Sequence, residues 1–427
     1  MLVLRVLSLA LLAAPSLVQA CDGGHCSAAG DGQLQWDASL RARGLYYDPT
    51  RFGIGGSEDD YGLLRALASA TYVEDTWQAK LQLGVHGESG KAGGPGRTDR
   101  SALDVQQVYW RWQYRGFHLQ LGRQEAGYGS SRLLSVRDGP NIRLAFDGAR
   151  AGCKGRLGTL DLMALQPVQN RPGAFDDRGE PGAHLWGAYA TTARDRSPGQ
   201  WDLYLLDYRR EGARFAAGSG TERRQTLGAR WFGQAGALDW NNELVAQGGE
   251  LRTTEGNLDI RAWTLATDTG WRWRDLPLQP RLGLKADIAS GDGNVRDGRL
   301  GTFNALFPKS AYFSEASLLA PANLMDVQPT LSLRLRDTLT TELGVQMAWK
   351  HRRADAVYTT PAPLVALPGS AGGARRIGNQ YKSETRWQAS EHWQWQLQLA
   401  WVDAGPALKQ AGGQDTLFAS IVGAWQW

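Results

Sequence analysis

The stretch Trp393-Gln394-Trp395-Gln396-Leu397-Gln398-Leu399-Ala400-Trp401 decides the fold. Every odd position is large and apolar, and the even positions through 398 are glutamine. Side chains alternate faces along a strand, so the segment has one apolar face and one hydrogen-bonding face. A helix would scatter the five apolar residues around its circumference, so the period is 2 and not 3.6. A soluble sandwich strand alternates too. Three tryptophans beside two leucines on an outer face, however, call for an apolar solvent, and lipid, with Trp at its interfaces, is one.

The chain repeats this two-faced pattern. Leu34, Trp36, Ala38 and Leu40 alternate with Gln35, Asp37, Ser39 and Arg41. Val108, Trp110, Trp112 and Tyr114 alternate with Tyr109, Arg111 and Gln113, and Leu331, Leu333 and Leu335 with Ser332, Arg334 and Arg336. Such strands run from 34–47 to 415–427, with lengths that suit tilted transmembrane strands. The turns near 75, 115, 156, 197, 235, 275, 337 and 391 are mostly short. Loops 88–103, 125–143, 168–182, 291–324 and 353–376 are longer and rich in Gly, Pro and Asp. The pattern predicts an all-β fold: a single antiparallel transmembrane β-barrel of about 18 strands, with short periplasmic turns and long extracellular loops. An even count puts both termini on the periplasmic side. The chain ends Trp425-Gln426-Trp427, aromatics of the kind that barrel-assembly machinery reads.

Composition agrees. The 427 residues are 42% hydrophobic, and no apolar run after residue 20 would span a bilayer as a helix. A net charge of +4, without a basic helix or finger motif, gives no case for nucleic-acid binding. Residues 1–20 read as a secretory signal, with Arg5 before an apolar Val6–Ala14 core and a small-residue site at Val18-Gln19-Ala20. Residues 21–32 form a flexible lead, and 33–427 the barrel. Cys21 is either lipidated or paired with Cys26, and Cys153 reads as a small outward hydrophobe. No cofactor, metal site or enzymatic activity is expected. None of the six histidines has nucleophile-elbow context, and His118 and His351 sit in strand patterns as wall residues.

A charge on the lipid face near the midplane costs about 2–4 kcal/mol, so the charged set points inward. That set is Arg41, Arg43, Arg65, Arg111, Arg150, Arg230, Arg261, Arg281, Arg334, Arg336 and Arg386, with acids Asp37, Asp161, Asp202, Glu243, Asp287 and Glu384. Of the 47 basic residues 39 are arginine, whose guanidinium grips carboxylates and phosphates bidentately. Two readings stand: the arginines pair with inward acids and stiffen the wall, or they make a lumen that favours anions.

An ordered series of motifs goes beyond periodicity. Gly122-Arg123-Gln124, Tyr128-Gly129, Arg132-Leu133, Gly139-Pro140-Asn141 and Phe146-Asp147-Gly148-Ala149-Arg150 come first. Phe175-Asp176-Asp177, Gly187-Ala188-Tyr189, Ser290-Gly291-Asp292-Gly293-Asn294 and Phe303-Asn304-Ala305-Leu306-Phe307-Pro308 follow. In this order they resemble the bacterial alginate export porin family over roughly residues 33–427. The resemblance implies an 18-stranded barrel in the outer membrane of a Gram-negative bacterium. Through its arginine-rich conduit an anionic, alginate-like uronate polysaccharide leaves the cell passively. Carried over by motif, Arg123, Arg132 and Arg150 become lumen or constriction residues, and Asp147, Asp176 and Asp177 their acidic partners. Arg65, Arg111, Arg230, Arg334, Arg336 and Arg386 join them from the alternation. Strict alternation turns Arg123 outward, so it lies at the rim or a bulge re-aims it. Loop 291–324 is expected to plug or gate the pore, or to form an extracellular cap. The expected partners are outer-membrane lipid, the polysaccharide, barrel-assembly machinery and a periplasmic secretion complex, with the barrel a monomer. The alternative is a general or anion-selective porin for small solutes.

Overall fold

The structure, a computed structural model, describes residues 32–194, 198–309, 311–359 and 364–427, with the backbone of 25–27. The proposed signal segment 1–20 and the side chains of Cys21 and Cys26 lie outside the described residues. From Gln33 onward the alternating segments form a wall. Its strands are β1 (Gln33–Asp48), β2 (Asp59–Val73), β3 (Trp77–Ser89), β4 (Ser101–Tyr114), β5 (Phe117–Glu125) and β6 (Ala145–Gly155). Next come β7 (Gly158–Gln169), β8 (His184–Thr192), β9 (Gly199–Phe215), β10 (Gly218–Ala235), β11 (Leu238–Thr253) and β12 (Gly256–Arg272). The last six are β13 (Arg281–Ala289), β14 (Leu324–Arg336), β15 (Leu339–Lys350), β16 (Arg376–Gln388), β17 (Trp393–Ala404) and β18 (Thr416–Gln426). Each strand pairs antiparallel with the next. β1 closes the ring on β18 through Ser39–Gln426 to Asp48–Leu417. The Trp427 N–H donates to the Ala38 carbonyl at 2.9 Å, so both ends of the barrel chain meet on the short-turn side.

The apolar parity faces out. Leu227 is 63% exposed, Trp186 60% and Leu244 56%, which is untenable in water for a wall-wide band and ordinary against lipid. The odd residues of β17 belong to that band, with the Trp393 and Trp395 rings stacked at 6.1 Å. Its even residues Gln396 and Gln398 face in. Cys153 is a free thiol on the outward parity of β6.

Two extracellular connections depart from the expected long loops. Residues 216–217 and 254–255 are two-residue turns. The chain spends its length on the strands instead, with 17, 18, 16 and 17 residues in β9 to β12. Eighteen residues at about 3.3 Å each, tilted near 40°, rise about 45 Å, against an apolar band about 25 Å tall. This sector of the wall therefore stands above the membrane. On its inner side Phe215, Leu251 and Ile260 pack against Leu300, Ala320, Ala322 and Tyr358 from the neighbouring loops.

Two loops enter the lumen, 126–144 between β5 and β6 and 290–323 between β13 and β14. Leu133 and Leu134 of the first meet Phe303, Leu306 and Phe307 of the second, over wall residues Phe146, Leu165, Leu185 and Val245. Leu134 and Phe307 form a parallel bridge. Farther round, Phe313 and Leu318 pack on Leu45, Leu63 and Phe418. Each such side chain contributes about 1.5–3 kcal/mol by burial. The loop 290–323 is thus divided: its middle lies in the lumen, and Leu300 with Ala320–Ala322 caps the raised wall.

Candidate conduction site in the lumen

Loop 126–144 turns inward because the wall supplies donors for its backbone. Gly139-Pro140-Asn141 cannot be helical before the proline, and it presents consecutive carbonyls. Arg41 donates to the carbonyls of Asp138, Gly139 (3.2 Å) and Pro140 (2.7 Å). Arg43 donates to the Gly139 carbonyl at 2.9 Å and to Ser420 Oγ at 3.0 Å. The fully buried Asn141 amide donates to the carbonyls of Leu64, Gly87 and Asp99 at 3.0, 2.9 and 2.8 Å. It staples the loop to β2 and β3.

At the centre of this contact is one carboxylate. Asp138 Oδ1 lies 2.7 Å from Arg65 and 2.6 Å from Arg143, and Oδ2 lies 3.8 Å from Arg41. Burial alone would push the carboxyl up; the guanidiniums of Arg65, Arg143 and Arg41 overrule it and hold it well below the usual carboxylate range. The Asp138 side chain is still 57% exposed. A carboxylate reachable from the lumen therefore sits in a socket of arginines.

The other end of the loop reaches the opposite wall. Arg132 pairs with Glu243 at 3.0 Å and donates to Asn241 at 3.2 Å. Beside it Tyr312 of the second loop donates to Asp287 at 3.1 Å. Ser314 accepts from Gln380 at 2.9 Å, Lys382 donates to the Phe313 carbonyl, and Glu315 meets Arg43 at 3.3 Å. The second loop is anchored farther up by Asn304, which donates to Glu222 at 3.2 Å and takes part in a two-way exchange with Gln247. Glu222 and Arg224 there are fully buried and paired. Two loops, tied to β1–β2 on one side and β10–β16 on the other, lie across the lumen.

The arginines expected from sequence divide by partner. Arg65, Arg132 and Arg230 face the lumen and are engaged, Arg230 with Asp202 at 2.7 Å and stacked 3.7 Å over Phe232. Arg281 is shared by Asp239 and Asp268, and Arg386 pairs with Glu384. Arg150 donates to Gln124 at 2.6 Å and has no carboxylate partner among the described residues. Arg111, Arg334 and Arg336, toward the periplasmic mouth, carry no ion pair among the described residues.

One placement corrects the alternation, and another the lumen role that the resemblance implies. Arg261 is outward: Ile260, Ala262 and Thr264 are buried on the inner parity of β12, and Arg261 is 66% exposed beside Asp259 above the lipid band. Arg123 keeps the outward parity of Leu121, while its neighbour Gln124 faces in to meet Arg150. It is clamped bidentately by Asp147 at 2.8 and 3.1 Å and donates to the carbonyls of Val105 and Asp177. Asp104 accepts the N–H groups of Asp176 and Asp177 at 2.9 and 3.0 Å. Here β5 and β6 end early, and residues 173–179 take their place between β4 and β7. Arg123, Asp147, Asp176 and Asp177 therefore seal a seam in the wall and do not line the conduit. Burial pushes the Asp177 carboxyl up to about 6.

Sequence reasoning missed Asp138, Arg143 and Asn141. The Gly139-Pro140-Asn141 motif marked the place, but nothing in periodicity says where a loop goes.

Above the two loops lies a cavity of about 550 Å3, open toward the extracellular side, lined by six cationic and four acidic side chains. Arg51, Arg97 and Arg210 are among the cations, and Tyr47, Tyr61 and Leu144 are among the apolar side chains of the lining.

A family model described as alginate export matches residues 33–421. No curated protein matches the chain. Among solved structures, Pseudomonas aeruginosa OpdK with vanillate is similar at a TM-score of 0.61 and 12% identity, over 92% of this chain and 98% of that one. Acinetobacter baumannii OccAB2 is similar at 0.61 and 11%, over 92% and 98%. Pseudomonas aeruginosa OccK2 (OpdF) in complex with glucuronate is similar at 0.56 and 12%, over 92% and 96%. At these identities the likeness shows the fold alone: a closed 18-stranded outer-membrane barrel.

Proposed function

The chain belongs to the alginate export family, and on that premise we propose that this outer-membrane channel conducts an anionic uronate polysaccharide out of the cell by passive passage through an arginine-rich lumen. One observation supports the reading above others. Arg41, Arg65 and Arg143 already hold a carboxylate, that of Asp138, at a point open to the lumen. A uronate carboxylate is the same group on another chain, and the guanidinium fork suits it bidentately. Below, the unpaired Arg111, Arg334 and Arg336 give the periplasmic mouth a field that gathers anions. No phosphate-binding loop is present in the sequence, so the drive is the polymer's own synthesis or gradient. Barrel-assembly machinery, outer-membrane lipid and a periplasmic secretion complex are the partners of this reading, and the barrel works as a monomer.

A second reading, a general or anion-selective porin for small solutes, is favoured by the two tied loops that lie across the lumen. Planar-bilayer recordings separate the two. Passage of uronate oligomers as well as monomers, with anion selectivity that falls in Arg65→Glu, is the expected result. A large resting conductance indifferent to uronate oligomers sinks the exporter.

A further inference from the structure

The cations that hold the loops are largely committed to protein acceptors; the free ones lie elsewhere. Arg51 (loop 49–58), Arg97 (loop 90–100) and Arg210 (β9) reach the extracellular cavity from three separate elements. None of their side chains makes an ion pair or hydrogen bond among the described residues. Of the four acids in the same lining, three are occupied. Asp99 pairs with Lys91, Glu315 with Arg43, and Asp59 accepts the Ala92 N–H at 2.9 Å. Among the described residues the Glu180 carboxylate makes no hydrogen bond or close ion pair, and with six cations against four acids the net charge of the lining is positive. The same lining includes the half-buried apolar surfaces of Tyr47, Tyr61 and Leu144.

Unpaired guanidiniums in a lining with apolar surface are what a carboxylated sugar ring needs: forks for the carboxylate and contact surface for the C–H face. A volume of about 550 Å3 lies within the ordinary range for small-ligand pockets, roughly 300–1,000 Å3. We propose that this cavity is a subsite for a carboxylated saccharide, in which Arg51, Arg97 and Arg210 take the carboxylate and Tyr47, Tyr61 and Leu144 the sugar face. The proposal rests on the uronate reading above and adds to it a second station beyond the loops. The ligand has two sources, a polymer leaving through the loops or a sugar acid arriving from outside.

The test is single-channel recording of the full-length barrel and of the triple variant R51S/R97S/R210S. Short uronate oligomers are added on either side, with a neutral oligosaccharide of equal length as control. Because these side chains have no partner to abandon, the variant keeps its fold, which heat-modifiable migration checks. The expected result is that uronate blocks from the extracellular side shorten about tenfold in the variant, a loss of about 1.4 kcal/mol, while neutral blocks do not change. If blocks from the periplasmic side shorten too, the subsite serves the leaving polymer; if they do not, it serves arriving solutes. Equal uronate residence times in wild type and variant from both sides overturn the proposal, as does a neutral sugar that blocks as long as a uronate. Failure of the exporter reading looks different: uronate oligomers then block the wild type without ever crossing it, and the subsite still stands.

Discussion

Loops 126–144 and 290–323 enter the same lumen and touch at Leu134 and Phe307, yet different chemistry holds each. The first, besides its buried anchors Leu134 and Asn141, carries an ion cluster at an accessible point, where Arg41, Arg65 and Arg143 converge on Asp138. The second is held by burial, with Phe303, Leu306 and Phe307 in the core and Asn304 locked to Glu222 and Gln247, both of which Arg224 also binds, out of reach of water. Exposed ion contacts exchange with salt and with other anions. Buried polar networks hold only while every member is satisfied. Within one pore, then, one loop is open to competition by a carboxylate and the other is fixed frame.

The largest effect is expected at the frame. Glu222→Leu leaves the Arg224 guanidinium, fully buried, without its carboxylate, which costs about 3–5 kcal/mol. The denaturant midpoint should fall accordingly, and the segment around Asn304 should become protease-sensitive; an unchanged midpoint would show that the network is not what holds this loop. Asn141→Ala comes next. It removes one donor shared by three carbonyls of β2, β3 and the loop between β3 and β4, a loss of about 1–3 kcal/mol, read by hydrogen exchange of residues 138–142.

The smallest stability effect, and the sharpest functional one, belongs to Asp138→Asn. The carboxylate is half exposed, so stability should change by about 1 kcal/mol or less. Releasing the three guanidiniums should raise anion selectivity, measured as a shift of reversal potential. The pH dependence follows from the sign of the shift. Because the folded-state pKa is depressed, the contact contributes fully above the ordinary carboxylate value of about 3.9 and fades only as pH falls below it. The selectivity difference between wild type and variant should therefore be the same at pH 7 and pH 4. A difference that falls to about half by pH 4, as for an ordinary carboxylate, would mean that Asp138 is not held by these arginines.

The wall was legible because alternation and the lipid penalty act on every residue of a strand alike; β17 shows this residue by residue. The same penalty misplaced Arg261. It holds at the midplane, but Arg261 sits near the extracellular end of β12, where the outward face is already in water. On that strand Trp263, Leu265 and Trp271 carry the true phase. Arg123 was legible as outward, yet its role as a seam clamp needed the register that sets it opposite Asp147. Least legible was the site. Asp138 is an unremarkable loop acid until the backbone brings it 73 residues back to Arg65. Contacts of that kind have no period.

The raised wall of β9–β12 makes the molecule a landmark on the cell surface as well as a hole in it. The turns at 216–217 and 254–255 stand clear of the headgroups on paired strands, and Thr254 and Glu255 are exposed. An antibody or a bacteriophage tail fibre approaching from outside finds there a stiff protein edge that is not part of the conduit. A peptide tag placed in that turn would report the channel on living cells while leaving both lumen loops untouched.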